Sequence, residues 1–279
     1  MEIKGITYEK ALAVHNSFCS QRDIRKVMLY LQEYGVTASL AMKIYKKYGY
    51  RTIDIIKENP YRPAEDINGI GFKTADRIAA SMGIPQDSEH RIKAGIKYIL
   101  NNSLTDGNVF MPRDELLEKA EETLSVDRET ADNYLREMQI EHKVLNENIE
   151  GIDAVYLMPM YYSEISAAKK LLELSFFHDE TDMKEIDAKI DEVEDRTGIF
   201  LAKQQREAVI EAMKEGVLVI TGGPGTGKTT IIHTIIQIFK TLGMEIALAA
   251  PTGRAAKRMT EATGAEAKTI HRMLGGAYN

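Results

Sequence analysis

Apolar residues recur at helical spacing through the first third of the chain. Between Ile24 and Leu31 they lie three and four positions apart, which places them on one side of a helix. Comparable patterns, separated by glycine or proline, follow at residues 38–48, 53–56 and 75–82. The pattern therefore predicts a mainly α-helical N-terminal region, which we place at residues 1–85.

The next segment, residues 86–160, combines three predicted helices with a β-hairpin. The helices are marked at 92–99, 112–120 and 127–138, and two apolar runs flank a polar turn at 146–151. Three helices followed by a hairpin are typical of a winged-helix domain. Its third helix carries more acidic than basic residues, so we expect a structural or protein-contact role, with DNA contact as the alternative.

After residue 200 the pattern changes to that of an α/β domain. Residues 217–220 form an apolar run with β-branched side chains, which predicts a buried parallel strand. A glycine-rich loop follows, and then an apolar helix that stops at Gly243. Residues 245–250 predict a second strand. This order favours a P-loop (RecA-like) domain, which we place at residues 201–279.

The glycine-rich loop runs from Gly222 to Thr229 and matches the phosphate-binding pattern G-x-x-x-x-G-K-[ST]. Its backbone N–H groups and the start of the following helix suit phosphate oxygens. We expect Lys228 to reach the β- and γ-phosphates and the Thr229 hydroxyl to be a Mg²⁺ ligand, which makes them the predicted catalytic pair. The alternative is a glycine-rich turn that binds nothing, but such a turn requires neither side chain.

Base recognition is predicted on the helix that precedes the first strand. The amide of Gln205, 17 residues before Gly222, can pair with the donor and acceptor edges of adenine and so favour ATP over GTP. A glutamine on a solvated helix is the alternative. The predicted nucleotide-binding residues are Gln205, Gly222, Gly223, Pro224, Gly225, Thr226, Gly227, Lys228, Thr229 and Thr230.

A second glycine pattern, with Gly69 and Gly71, precedes the helix at residues 75–82 and is typical of a helix-hairpin-helix turn. Such a turn can run close to a phosphate, and the next helix offers free N–H groups beside Lys73 and Arg77. It holds the DNA backbone without reading bases. The alternative is a tight helix connection with ordinary surface charges.

Two further turns are open to a DNA interpretation. The turn at Gly35, with three lysines after it, is either a second copy of the hairpin or a plain connection. The turn Pro251-Thr252-Gly253-Arg254 follows the second predicted strand, at the end where open α/β sheets bind ligands. Residues 269–274 predict a short helix that carries His271.

Charge and composition narrow the class of partner. The net charge is −6, but residues 1–100 carry +5, residues 101–200 carry −15 and residues 201–279 carry +4. The acidic helical stretch, placed at residues 161–200, is predicted as a solvated linker, with a spacer that repels DNA as the alternative. The single cysteine excludes an intrachain disulfide and no apolar run could span a membrane, so we expect a cytoplasmic protein with no membrane partner.

Gln205, the phosphate loop, the segment Ala-Pro-Thr-Gly-Arg-Ala-Ala and the segment Thr-Ile-His-Arg together resemble the RecD/TraA-like DNA helicases of superfamily 1. The resemblance implies that Gln205 reads adenine, that the loop binds ATP and Mg²⁺, and that the Pro-Thr-Gly-Arg turn contacts single-stranded DNA. For His271 it implies DNA contact, with a structural histidine as an equal alternative. The predicted DNA-binding residues are Gly69, Gly71, Lys73, Arg77, Thr252, Gly253, Arg254 and His271.

The N-terminal region adds to this resemblance, because longer stand-alone members of the family carry an N-terminal helix-hairpin-helix extension. The family implies ATP-dependent unwinding with 5′ to 3′ movement and roles in DNA repair and recombination. It also implies sequence-independent binding of single-stranded DNA and duplex junctions. We further expect a monomer.

The expected fold is multidomain: a mainly α N-terminal region, with helix-hairpin-helix and winged-helix-like parts, followed by a partial α/β P-loop motor domain. Only 50 residues follow Thr229, and they contain no Asp-Glu pair, so this chain alone is expected to bind DNA and ATP without turnover. Two alternatives stay open: a binding module that performs no reaction, and a ring-forming ATPase of the clamp-loader kind. Gln205 and the Pro-Thr-Gly-Arg turn argue against the second.

Overall fold

The computed structural model describes residues 8–177 and 183–275. Two compact units divide the chain, Met1–Ile165 and Ser166–Asn279. Among the described residues, no helix has the length and apolar character needed to cross a lipid bilayer.

The first unit begins with helices joined by short turns. They are α1 Tyr8–Glu33, α2 Ala38–Tyr48, α3 Thr52–Glu58, α4 Arg62–Asp66, α5 Phe72–Ser81 and α6 Glu89–Thr105. The first five surround a shared apolar core of Val27, Leu31, Val36, Ala41, Ile44, Ile56, Ile70 and Ile78. Val36 and Ile70 lie in the turns, while the others belong to apolar runs with helical spacing, and the helices predicted from that spacing are confirmed.

The unit continues with β1 Phe110–Pro112, α7 Arg113–Leu124, α8 Arg128–Ile140, β2 Val144–Ile149 and β3 Ile152–Leu157. The strands form an antiparallel sheet in the order β1-β3-β2, with Met111 opposite Val155. Helix α8 starts where the Asp127 carboxylate accepts the Thr130 N–H at 2.8 Å. The helices and the hairpin match the prediction, whereas β1 was not expected because three residues give no alternating pattern.

One buried cluster connects the hairpin helices with the rest of this unit. Tyr61, Phe72 and Tyr98 stack in series, with ring centroids 5.9 and 5.2 Å apart. The cluster then extends through α6 to α7 and α8, including Leu116 and Leu135. Helix α5 is therefore anchored on α6 by aromatic packing. The domain boundary at residue 85 stays a prediction.

The second unit is built around a small helical core. Helix α9, Met158–Ser175, contains the boundary between the units and buries none of its side chains. The remaining elements are α10 Met183–Thr197, α11 Lys203–Lys214, α12 Lys228–Thr241, β4 Leu248–Ala250, α13 Gly253–Thr263, β5 Ala267–Thr269 and α14 Ile270–Met273.

The acidic stretch contributes a packed helix to this unit. Helix α10 is helical as predicted, but Ile186, Ile190 and Val193 are buried in one cluster with residues of α11 and α12. Its acidic residues occupy the remaining faces. The apolar positions recur at i, i+4 and i+7, which is the spacing of an amphipathic helix rather than of an extended linker. The linker bounds, residues 161–200, stay a prediction.

The prediction of a strand at residues 217–220 is wrong. These residues belong to no strand of the described sheets, and Val219 is 78% exposed. Of the second predicted strand, only β4 is formed, and it pairs in parallel with β5. A buried parallel strand requires a hydrogen-bonded neighbour, and apolar composition alone does not supply one.

Candidate nucleotide-binding and DNA-binding sites

The phosphate loop joins an irregular segment to the first turn of α12. Gly227 is the residue before the helix, with φ +81°, and Gly225 has φ +79°. A left-handed backbone at two positions lets the loop turn back over the helix start, which glycine adopts without strain. Gly222 is needed for a different reason, since a Cβ there would lie 2.7 Å from Oγ1 of Thr226.

Lys228 lies across the concave side of this loop. Its ammonium donates to the carbonyl oxygens of Gly222 at 2.5 Å and Gly223 at 2.7 Å, and Oγ1 of Thr226 donates to Gly223 at 3.0 Å. The positive charge is thus held inside the ring of glycines that the sequence assigned to phosphate. Backbone N–H groups, an ammonium and a helix N-terminus together form a donor set that suits a nucleotide phosphate.

Thr229 and Thr230 occupy the first turn of α12. The Thr229 side chain is exposed and makes no hydrogen bond within the described part of the chain, so its hydroxyl is free to bind a cation beside the loop. Thr230 is partly buried, and its carbonyl accepts the Thr234 hydroxyl at 3.1 Å inside the helix. Pro224 is exposed in the outer turn. A hydroxyl next to Lys228 fits the oxygen ligands that Mg²⁺ prefers.

Gln205 reaches the phosphate loop from α11. Its Oε1 accepts the Ala202 N–H at 2.9 Å, and its Nε2 donates to the Thr226 carbonyl at 3.1 Å. The approach is so close that a Cβ on Gly227 would overlap with Nε2 of Gln205. The structure therefore brings together two motifs that lie about 20 residues apart in the sequence. Oε1 and Nε2 each keep a further hydrogen-bonding position for a base edge.

The Pro-Thr-Gly-Arg turn and His271 lie at the same edge of the β4–β5 pair. Thr252 caps α13 by accepting the Ala255 N–H at 3.2 Å, and Gly253 and Arg254 are exposed. Ala250 of β4 is paired with Thr269 of β5, so Thr252 and His271 each follow the end of neighbouring parallel strands. His271 is exposed on α14. Ligands of α/β sheets bind at this end.

The hairpin before α5 has the geometry expected of a backbone-binding turn. Gly69 has φ +86°, and Gly71 precedes the helix without any side chain capping its N–H groups. Lys73 and Arg77 are exposed, and within the described residues neither side chain has an ion-pair or hydrogen-bond partner. Free helix N–H groups and two unpaired cations therefore lie on one short segment.

The structure adds Lys43 to this hairpin. Its ammonium lies 3.7 Å from the point where a Cβ on Gly69 would stand, although Lys43 belongs to α2. Lys43 is the first of the three lysines that the sequence analysis grouped with the turn at Gly35. That turn lies 34 residues before Gly69. Gly35 itself has φ +72° and lies in the turn between α1 and α2. The spacing of apolar residues fixes which side of α2 is buried, but it does not identify which neighbour the opposite side meets.

Two family profiles match the chain. One, described as the ATP-dependent RecD2 DNA helicase HHH domain, covers residues 20–110, and the other, described as an AAA domain, covers residues 205–278. The ATP-dependent RecD2 DNA helicase of Deinococcus radiodurans is 27% identical over 285 residues, which is 99% of this chain and 39% of that protein. These matches show that the chain is similar to the RecD-like helicases of superfamily 1.

Two other relatives match shorter parts of this RecD-like chain. The RecBCD enzyme subunit RecD of Mycolicibacterium smegmatis is 38% identical over 96 residues, 26% of this chain and 17% of that protein. The ATP-dependent DNA helicase dda of Enterobacteria phage T4 is 45% identical over 69 residues, 24% of this chain and 16% of that protein. The chain thus spans less than half the length of each of these relatives.

The hairpin helix α5 of the RecD-like chain is held by a partly buried polar network that the sequence did not predict. Asp76 accepts the Tyr61 hydroxyl at 2.7 Å and Nε of Arg91 at 2.8 Å, and Arg91 also donates to the carbonyls of Gln86 and Leu124. Burial raises the pKa of Tyr61, and the hydrogen bond to Asp76 raises it further. The network fixes α5 against α6 and the end of α7, so Lys73 and Arg77 project from a rigid element.

A second unpredicted cluster surrounds Lys93 on α6. Its side chain is 7% exposed and lies within 2.8 Å of carboxylates of Glu89, Glu137 and Glu141. Burial alone would disfavour the charge, but these three partners raise the pKa of Lys93. Lys143 and Lys93 together lower the pKa of Glu141 to about 2. Three carboxylates at such distances could suggest a metal, but the ammonium already supplies the cation, so we assign the cluster to joining α6 and α8.

Proposed function

We propose that this RecD-like chain supplies the DNA-binding and ATP-binding parts of an ATP-dependent DNA helicase. The observation that carries the proposal is the junction of Gln205 with the phosphate loop. Base-pairing and phosphate-binding groups meet there through the hydrogen bond from Nε2 of Gln205 to the Thr226 carbonyl, as a site for a whole adenine nucleotide requires. The names of the RecD2 and dda relatives, both ATP-dependent DNA helicases, support the same class of activity.

At the nucleotide, each residue has a role that its position allows. Lys228 is proposed to exchange its contacts with the loop carbonyls for the β- and γ-phosphates, while the loop N–H groups hold the remaining oxygens. Thr229 is proposed to bind the Mg²⁺ that accompanies ATP, and the ion would neutralise phosphate charge. Gln205 is proposed to bind the adenine edge with its remaining donor and acceptor.

At the DNA, the proposal assigns two surfaces. The hairpin with Gly69, Gly71, Lys73 and Arg77 is proposed to hold phosphates without regard to base sequence. The edge with Thr252, Gly253, Arg254 and His271 is proposed to contact the backbone of single-stranded DNA. Movement from 5′ to 3′, preference for junctions and action as a monomer are parts of the proposal that rest on resemblance to the family.

The domain plan belongs to the same proposal. We infer a winged-helix-like domain from α6, α7, α8 and the β2–β3 hairpin, with a structural role because α8 carries more acidic than basic residues. Residues 201–279 are proposed as the first part of a P-loop motor domain, in line with the AAA profile over 205–278.

The nucleotide site is tested by titrating the protein with ATP and Mg²⁺ in a calorimeter. Lys228→Ala should weaken ATP binding at least about tenfold, because it removes a charge-assisted contact to phosphate. The matched control is Lys240→Ala, an exposed lysine at the other end of α12. Equal affinities for wild type and Lys228→Ala would remove the ATP site from the proposal.

Base recognition is tested with two neighbouring glutamines. Gln205→Ala should reduce the preference for ATP over GTP, whereas Gln204→Ala, which changes an exposed side chain on the same turn, should not. If both variants keep the wild-type preference, Gln205 does not read the base.

The hairpin is tested by the salt dependence of DNA binding. Changing Lys73 and Arg77 to alanine should weaken binding equally for all sequences and reduce the slope of log K against log salt by up to about two. Lys119→Ala, which removes a surface charge from α7, is the control. An unchanged slope in the double variant would make the hairpin a simple connector.

Turnover is a separate question. We propose that the 279-residue polypeptide binds ATP with little hydrolysis, since the residues after Thr229 contain no Asp-Glu pair. Helicase-like turnover that Lys228→Ala abolishes would refute this part while leaving the ATP site intact.

A further inference from the structure

The acidic helix α10 faces the start of α11 with three carboxylates in a row. Asp187, Asp191 and Glu194 recur at i, i+4 and i+7, and all three meet the guanidinium of Arg206. The distances are 3.0 Å to Asp187, 2.7 Å to Asp191 and 3.4 Å to Glu194. Although burial disfavours its charge, the hydrogen bonds to Asp191 and Asp187 raise the pKa of Arg206.

Glu194 differs from the other two acids because it makes a second contact. The residue is only 9% exposed, and its Oε1 accepts the backbone N–H of Leu201 at 2.8 Å while Oε2 meets Arg206. Leu201 precedes the first turn of α11, and Arg206 follows Gln205 directly. One buried carboxylate therefore holds the chain on both sides of the turn that carries Gln205.

Among the described residues, a single hydrogen bond from Gln205 joins the same turn to the phosphate loop. Gln205 is held by the Ala202 N–H and donates once to the Thr226 carbonyl. A shift of this turn by a fraction of an ångström would move the glutamine amide out of hydrogen-bonding range of a base edge. It would leave the loop itself, which belongs to the start of α12, in place.

We propose that Glu194 is a positioning residue for base recognition: by holding Leu201 and Arg206 it sets where Gln205 meets the nucleobase, and so sets the preference for adenine over guanine nucleotides. The inference rests on the proposed ATP site. It assigns a nucleotide-selectivity role to the acidic stretch that the sequence presented as a linker. It also separates two functions within one site, since phosphate binding belongs to the loop and base selection depends on α10.

The test compares Glu194→Ala with Glu192→Ala in the full chain. Glu192 is exposed on the same helix and makes no hydrogen bond or ion pair among the described residues, so the two variants remove the same side chain from two sides of α10. Dissociation constants for ATP and for GTP are measured with Mg²⁺, and circular dichroism fixes a temperature at which all variants are folded. We expect the affinity ratio of ATP to GTP to fall about tenfold for Glu194→Ala, with the GTP constant unchanged, because the hydrogen bonds to adenine are lost. Glu192→Ala should keep the wild-type ratio.

A double variant asks whether Glu194 acts through Gln205. If it does, Glu194→Ala combined with Gln205→Ala lowers the ratio no further than Gln205→Ala alone, because neighbouring residues in one network are not additive. Additive losses would overturn the inference. Arg206→Lys provides a second route should Glu194→Ala not fold, and it is expected to lower the ratio in the same direction.

The outcomes separate this inference from the function on which it rests. If ATP binding by the wild-type chain does not depend on Lys228, the proposed ATP site itself is refuted. Wild-type preference for ATP that persists in Glu194→Ala and in Arg206→Lys would leave the site standing and overturn the positioning role. Equal loss of ATP and GTP binding in Glu194→Ala would also overturn it, since that pattern indicates a structural effect.

Discussion

Gly95, on the buried side of α6, allows that helix to lie directly against the end of α7. A Cβ on Gly95 would overlap with one methyl group of Leu124, lie 2.7 Å from the other and lie 3.0 Å from its Cγ. Leu124 is fully buried, and rotating its methyl groups would not help because Cγ itself is in the way. Replacing Gly95 by alanine therefore improves helix propensity but worsens the packing against Leu124.

The two effects have opposite signs and different sizes. Gly→Ala inside a helix is worth about 1 kcal/mol in favour of the folded state. Adding a methyl group to a packed core costs about 1–3 kcal/mol when the neighbours cannot move away. We therefore expect Gly95→Ala to lower the free energy of unfolding of the first unit by up to about 2 kcal/mol.

The sign should reverse when the obstacle is removed. Leu124→Ala alone should cost about 2–5 kcal/mol, because it leaves a cavity between α6 and α7. In that background there is room for the Gly95 methyl group, so adding Gly95→Ala should stabilise by about 1 kcal/mol. The difference between the two effects of Gly95→Ala measures the contact itself.

Urea unfolding followed by tyrosine fluorescence is the suitable assay. The chain has no tryptophan, and all of its 13 tyrosines except Tyr278 precede residue 166, so the signal reports on the first unit. The reasoning is refuted if Gly95→Ala stabilises the wild-type background. It is also refuted if the substitution has the same effect in both backgrounds, because α6 and α7 would then not meet at Gly95.

Three further predictions concern other parts of the chain. Gly227→Ala should cost about 1–2 kcal/mol through its left-handed φ and should also reduce ATP preference by displacing Gln205. Gly243→Ala is the control in nucleotide titrations, because Gly243 has a similar φ of +72° and none of the described atoms lies within 4 Å of its Cβ position. Glu141 has a pKa lowered from 4.5 to about 2, so it stabilises the fold above pH 4.5, and this contribution is lost as the pH falls towards 2; Glu141→Gln should flatten that decline in urea midpoints. Arg91→Met should cost about 1–3 kcal/mol in the tyrosine assay, because it leaves the partly buried Asp76 carboxylate and Leu124 carbonyl without the guanidinium.

Local patterns were sufficient for much of the helical framework. The spacing of apolar residues placed α2, α5 and α8 close to their observed bounds, and glycines marked the turns at Gly35 and Gly69. These features depend on residues within one or two helical turns of each other, so a short stretch of sequence contains the relevant information. The phosphate loop was recognisable for the same reason.

Features that depend on a distant partner could not be predicted in this way. The apolar run at 217–220 carries the composition of a strand, but strand formation depends on a neighbour that composition does not specify. Lys93 is an ordinary lysine in sequence, and only the fold surrounds it with three glutamates from α6 and the end of α8. Lys43 is likewise placed beside Gly69 by packing.

The sequence by itself determined which chemical groups this RecD-like chain brings to the proposed nucleotide and DNA sites. The order of residues from Gly222 to Thr229 and the amide of Gln205 are part of the covalent structure. Glycine suits positions 225 and 227 because the backbone there has a positive φ. Tertiary structure decided which of these groups meet. Gln205 lies against the loop, and Glu194 of the acidic helix secures its turn, because buried apolar side chains on α10, α11 and α12 pack those helices together. Hydrophobic burial has no directional preference of its own, so such polar contacts follow from the complete packing rather than from any single segment.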